Sequence, residues 1–219
     1  LALHWTALGE VAPQPLPPLE PAERLVVVSG SCSPVSAAQL AQAEADGFAL
    51  VALEPAHLLG EPGLGGPGAL EVERALRAAL GALSAGRSVA LHTCLGANDP
   101  RTPRLRRAFG ALGLDPRLES GPRLGTALGG VLRRLLEAEP VRRVVVAGGD
   151  TSGYAARALG LAALSFRAPL APGAPLCRAG ADGPLDGLEI VFKGGQTGPP
   201  DIYRRALRGP QERSDIARL

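Results

Sequence analysis

The chain has no methionine in 219 residues, and only one tryptophan, two tyrosines and four phenylalanines. So thin an aromatic supply excludes a stacking platform for single-stranded nucleic acid. No apolar run is long enough to span a bilayer, and no signal-peptide pattern opens the chain. The three cysteines, Cys32, Cys94 and Cys177, are odd in number and far apart, which excludes a disulfide framework and points to a reducing cytoplasm. There is no Cys-x-x-Cys pair. His92 and Cys94 alternate along an expected strand, but two ligands make no zinc site. The formal net charge is +2, and arginines are scattered apart from the run Arg101 to Arg107. Neither nucleic acid nor an anionic membrane is therefore called for. The missing methionine, initiator included, predicts that the sequence is part of a longer protein.

What is present is mostly alanine, leucine and valine, in an apolar content of 46%. That suffices for the core of one large domain or two small ones. Residues 1–23 carry a short apolar piece around Trp5, then Pro13, Pro15, Pro17, Pro18 and Pro21. This is the composition of an extended linker or strap, and the folded domain is expected over 24–219. Leu25 to Val28 reads as a buried strand. Ser33-Pro34 is a helix start, a hydroxyl cap followed by proline at the first helical position, and Gly47 suits that helix's end. Phe48 to Leu53 is a second strand, completing the unit from which parallel sheets are built.

Glu54 to Gly68 reads as loop, Ala69 to Ala85 as an amphipathic helix and Arg87 to Thr93 as a strand. A loop with Asn98 and Asp99 follows. Helices are expected at Arg104 to Leu112 and Gly121 to Ala138, and a strand over Val141 to Ala147. After a glycine turn come a helix over Ser152 to Leu159 and a strand over Leu161 to Phe166. Ala168 to Gly183 reads as loop, Leu188 to Phe192 as strand and Pro199 to Leu207 as a closing helix. The fold class is α/β: a mostly parallel open sheet flanked by helices, a Rossmann-like domain of three layers.

Three of these strands end alike. Ser29-Gly30-Ser31-Cys32-Ser33, Gly148-Gly149-Asp150-Thr151-Ser152-Gly153 and Lys193-Gly194-Gly195-Gln196-Thr197-Gly198 are all rich in glycine and hydroxyls. A strand turning through glycines into a helix gathers free backbone N–H groups at the positive end of a helix dipole. Each turn alone has a plain reading as a tight strand–helix connection, with Asp150 or Thr151 as cap. Three on one rim of a parallel sheet are explained better by a polyanion. Neither the Walker string nor a clean Gly-x-Gly-x-x-Gly is present. Beside phosphate, Asp150 must either cap its helix or hold Mg²⁺ between itself and the ligand. Lys193 reads as a point charge for phosphate or as a solvated lysine at a strand end. Cys32 at a helix start also allows a nucleophile of lowered pKa, though no partner base is evident.

In these three turns, with Ala158-Leu159-Gly160 and Asp201, the chain resembles the C-terminal nucleotide-binding domain of the four-carbon acid sugar kinase family. The motifs keep the family's order, and the likeness runs from about Leu25 to Leu207. The resemblance implies an ATP-dependent kinase acting on the terminal hydroxyl of threonate, erythronate or 3-oxo-tetronate, with ATP and Mg²⁺ as cofactors. It implies nucleotide contacts from Ser29, Ser31 and Ser33, from Gly148, Gly149, Asp150 and Thr151, and from Lys193, Gly194 and Gly195, with Asp150 toward the metal. The family's N-terminal sugar-acid-binding domain, which carries an Asp-Asp motif, is not in this sequence. That domain is the expected partner and the expected source of the catalytic base, so residues 1–23 would be the strap leading from it and this piece alone would be inactive. Self-association is left open. Where the commoner family form has Ser-Gly-Asn-Phe-Gly after the lysine, this chain has Gln196-Thr197, which leaves that loop's hydrogen bonds undefined. The competing reading is a regulatory domain that binds a phosphorylated metabolite without chemistry.

Overall fold

The computed structural model describes residues 18–60 and 66–209. Trp5, Pro13, Pro15 and Pro17 of the expected strap lie outside them. Residues 18–23 have no regular secondary structure and lie against the end of the last helix, where Ala22 N donates to Leu207 O at 2.8 Å. In chain order the elements are β1 Leu25–Ser29, α1 Pro34–Ala45, β2 Ala49–Ala52, a 3₁₀ turn Pro55–Leu59, α2 Pro67–Ser84, β3 Val89–His92, α3 Arg101–Ala111 and α4 Pro116–Ala138. They continue with β4 Arg143–Ala147, α5 Gly149–Ala158, β5 Leu161–Ala171, β6 Ala174–Ala181, β7 Glu189–Lys193 and α6 Ile202–Arg208.

The strands form one sheet in the order β2-β3-β1-β4-β7-β6-β5. The run from β2 to β7 is parallel, while β6 and β5 form an antiparallel hairpin at one side. The valine runs of β1 and β4 are buried along their whole length, as parallel strands covered on both faces must be. Val26 and Val28 face a layer of α2, α4 and α5. Leu25 and Val27 face α1 and α6. This is the three-layer α/β architecture that the pattern of elements predicts.

Ser33 caps α1, its hydroxyl accepting from Ser36 N at 3.0 Å, with Pro34 next. Several expectations need correction. Ala168 to Gly183 is not loop: β5 runs on to Ala171, turns at Gly173 (φ 71°), and returns as β6. Its prolines face each other across the hairpin, Pro169 opposite Pro175. Proline is tolerated where the ladder does not need its N–H, at an edge strand or near a strand's start. α4 begins at Pro116 rather than Gly121, because Asp115 caps it through Arg117 N at 2.9 Å, and Pro122 lies inside the helix. α3 begins at Arg101 rather than Arg104, since Pro103 fits a first turn, where no N–H partner exists to be lost. The loop expected after Glu54 contains a 3₁₀ turn capped by that residue.

Candidate functional site

β1, β4 and β7 are neighbours in the sheet and parallel, so their carboxyl ends form one rim. The ladder continues one residue beyond the strands: Gly30 N donates to Ala147 O at 3.0 Å and Gly148 N to Lys193 O at 2.9 Å. The three glycine turns therefore meet. Ser33 Oγ donates to Gly195 O at 2.5 Å, joining the first turn to the third. A side chain on Gly30 would overlap Thr151 Oγ1, and one on Gly195 would overlap Ser31 Oγ. Gly148 has φ 128°, and its added Cβ would stand 2.8 Å from Thr151 Oγ1. These glycines are set by mutual close approach as much as by turn geometry.

Within the rim the residues differ. Ser29 is fully buried at the end of β1, and its hydroxyl has no partner among the described residues. Ser31 Oγ accepts from Ser33 N at 3.2 Å. The Ser33 hydroxyl is already committed, to the α1 cap and to Gly195 O. Gly149 and Asp150 are exposed in the first turn of α5 and Thr151 is buried. Gly194 O receives Lys193 Nζ at 2.9 Å. α5 starts three residues earlier than Ser152, which moves Asp150 and Thr151 inside its first turn. Neither caps it: Gly148 holds the cap position and no side chain accepts there. The first N–H groups of α5 have no helical acceptor, as in any helix. The Asp150 carboxylate lies beside α4, where a Cβ on Gly121 would stand 3.1 Å from Asp150 Oδ2.

Lys193 is not a solvated strand-end lysine. It is 2% exposed, because β7 runs between β4 and β6. Burial lowers its pKa from an ordinary 10.5 to about 8. Among the described residues no carboxylate pairs with it, and its only hydrogen bond is to Gly194 O. An orphaned hydroxyl, an unpaired buried ammonium and free helix N–H groups on one rim form a donor set suited to a multiply charged anion. Such an anion satisfies groups that otherwise cost the fold free energy.

The β3 side of the rim is closed by a network that the sequence did not reveal. Arg101 binds Asp99 Oδ1 and Oδ2 at 2.9 and 2.5 Å. It also donates to Leu53 O at 3.0 Å and His92 O at 3.3 Å, and meets His92 Nδ1 at 3.2 Å. The guanidinium holds Asp99 well below the usual carboxylate range. Burial, then Arg101, lowers His92 to about 4, so His92 is neutral. The role is structural, sealing the ends of β2 and β3. Only the fold brings Leu53 to Arg101, and no local pattern announces it.

Cys32 and Cys94, distant in the sequence, are neighbours here and share a hydrogen bond. The hydrogen bond from Cys32 lowers Cys94 to about 7. Cys32, although exposed, is held above the usual thiol range, chiefly by its hydrogen bond to Cys94. The alternative of Cys32 as an activated nucleophile therefore finds no support: the hydrogen bond to Cys94 raises its thiol rather than lowering it. Among the described residues no three His, Cys, Asp or Glu side chains gather as a metal cluster, and no helix is long and apolar enough to cross a membrane.

An open parallel α/β sheet with its glycine turns on one carboxyl rim defines a domain that takes its ligand outside the strand ends. Residues 26–203 match the family described as the nucleotide-binding C-terminal domain. The chain belongs to that family, the nucleotide-binding domain of the four-carbon acid sugar kinases. It is 44% identical over 211 residues to a 3-oxo-isoapionate kinase of Paraburkholderia graminis, covering 95% of this chain and 44% of that protein. It is 33% identical over 180 residues to a 3-oxo-tetronate kinase of Methylobacterium radiotolerans, covering 82% of this chain and 38% of that protein. The chain thus spans less than half the length of the relatives it matches. Among solved structures, a Bordetella bronchiseptica domain of unknown function, a domain-swapped dimer with bound citrate, superposes with a TM-score of 0.65 at 22% identity. The match covers 87% of this chain and 41% of that one. A Haemophilus influenzae protein superposes equally well, TM-score 0.65 at 17% identity, over 93% of this chain and 44% of its own. At such identities the likeness is one of fold.

Proposed function

We propose that this rim binds the triphosphate of ATP and that the chain is the nucleotide half of a kinase for four-carbon acid sugars. Threonate, erythronate and 3-oxo-tetronate are the substrates proposed, phosphorylated at the terminal hydroxyl. The carrying observation is the meeting of three glycine turns around the unpaired, buried Lys193. In this reading the N–H groups of Gly149, Asp150 and Thr151, the Ser29 and Ser31 hydroxyls, Lys193 and the Gly194-Gly195 backbone hold the phosphates. Ser33 contributes through the turn it fixes. Asp150 is the proposed Mg²⁺ residue, and one carboxylate is enough, since Mg²⁺ keeps most of its waters and takes phosphate oxygens. The ion would neutralise charge on the phosphates.

Phosphoryl transfer asks a protein for positioning and charge stabilisation rather than covalent chemistry. A rim of fixed dipoles supplies both for the donor. The hydroxyl to be phosphorylated needs an orienting or basic group, which we place on the N-terminal sugar-acid-binding domain. The names of the two kinases, both acting on 3-oxo acids, support this substrate class. Calorimetric titration of the chain tests the reading. MgATP is expected to bind more tightly than sugar phosphates, and the chain alone is expected to leave tetronates unphosphorylated. Tighter binding of a sugar phosphate favours a regulatory domain, and turnover by this chain alone overturns the division of labour.

A further inference from the structure

Ser33, Ser36 and Gln39 stand three residues apart at the start of α1, and all three donate into the third turn. Ser33 Oγ and Ser36 Oγ both reach Gly195 O, at 2.5 and 2.9 Å. Gln39 Nε2 reaches Thr197 O and Gly198 O at 2.9 Å each and Pro199 O at 3.2 Å. Four carbonyls of one short turn are thus drawn toward one helix. In a trans peptide the N–H points opposite to the C=O of the same unit. Pulling Gly195 O and Thr197 O toward α1 therefore turns the N–H groups of Gln196 and Gly198 away from it. Among the described residues, neither of these N–H groups donates to a backbone acceptor outside the regular elements.

Gln39 is fully buried, and its Oε1 has no partner. A buried acceptor left unmatched costs the fold stability. An apolar side chain of like size would avoid that cost but could not donate. The residue is explained by its amide hydrogens, and those act only on the turn.

We infer that Ser36 and Gln39 are positioning residues of the anion seat, orienting the Gly194–Gly198 backbone so that its free N–H groups face the phosphates. This rests on the nucleotide reading above. It assigns the undefined Gly-Gln-Thr-Gly loop its hydrogen bonds: carbonyls to α1, N–H groups to the ligand.

The test compares MgATP and adenosine binding by calorimetry for the wild type, Ser36→Ala and Gln39→Met. Circular dichroism and thermal melting of each protein run alongside. Gln39→Met is expected to bind MgATP about 10-fold more weakly, as losing a hydrogen bond to a charged group implies, and Ser36→Ala about 3-fold more weakly because Ser33 stays on the same carbonyl, with adenosine affinity within about 2-fold of wild type for both. Ser36→Ala leaves Ser33 on the same carbonyl, so it keeps the fold should Gln39→Met lose it. Should the wild type itself bind no MgATP, the nucleotide reading fails. Should the wild type bind while the folded variants match it within about 2-fold, the positioning role fails and the nucleotide reading stands. Equal loss of MgATP and adenosine also overturns the positioning role.

Discussion

Lys193 is held in a place that a lysine ordinarily avoids. It is 2% exposed and lacks a carboxylate partner among the described residues, and its pKa falls from 10.5 to about 8. Between pH 8 and 10.5 the unfolded chain holds a proton that the folded chain has lost, so stability rises with pH across that window. Below pH 8 the full cost is present, about 3 kcal/mol for such a shift. A bound polyanion offsets the cost, because it favours the ammonium. Lys193→Met should therefore raise the melting temperature at pH 7 and lower MgATP affinity about 10-fold or more. A lower melting temperature with affinity intact would contradict this account. In the wild type, MgATP affinity should fall as pH climbs past 8. Calorimetry in buffers of different ionisation enthalpy should then show proton uptake on binding.

At the scale of the elements, the position of α5 depends on glycines in α4. Gly121, Gly125 and Gly129 are four apart and so lie on one face. A Cβ on Gly125 would stand 2.8 Å from Tyr154 Cδ2, and one on Gly129 would stand 2.9 Å from Ala155 Cα. The two helices pack backbone to backbone, and α5 opens at the rim. Gly129→Ala should cost about 1–3 kcal/mol through overpacking, read as a lower denaturant midpoint. It should also weaken MgATP binding, since α5 is displaced. Gly130, one residue on, meets nothing within 4 Å, so Gly130→Ala should stabilise by about 0.5–1 kcal/mol through helix propensity alone. If the two variants were equally stable, close packing of α4 and α5 would not be what holds them.

At the scale of the molecule the two ends of the sheet do different jobs. The carboxyl rim keeps donors uncommitted, whereas at the opposite end a buried guanidinium is paired with a carboxylate and backbone carbonyls. There Arg143, fully buried at the start of β4, binds Glu189 of β7 at 2.6 Å. It also donates to Ala206 O at 2.6 Å and to Glu20 O at 2.9 Å. One guanidinium ties two strands, the last helix and the segment entering the domain. Glu189→Ala should destabilise by about 3–5 kcal/mol, because it strands a buried charge. MgATP affinity under native conditions should be unchanged, the rim being a strand length of about 16 Å away. Loss of affinity without loss of stability would show the two ends to be coupled. The sequence alone determined the α/β class, the valine strands, the Ser33-Pro34 helix start and the three glycine turns, because these depend on local backbone preference and on burial pattern. Tertiary structure decided the rest: that Lys193 is buried, that Asp150 leaves its helix uncapped, that Cys32 sits beside Cys94, and that the Pro-rich stretch after Phe166 is a hairpin. Desolvation, close approach and charge pairing act between residues distant in the chain, so they become definite only when strand order sets which residues are neighbours.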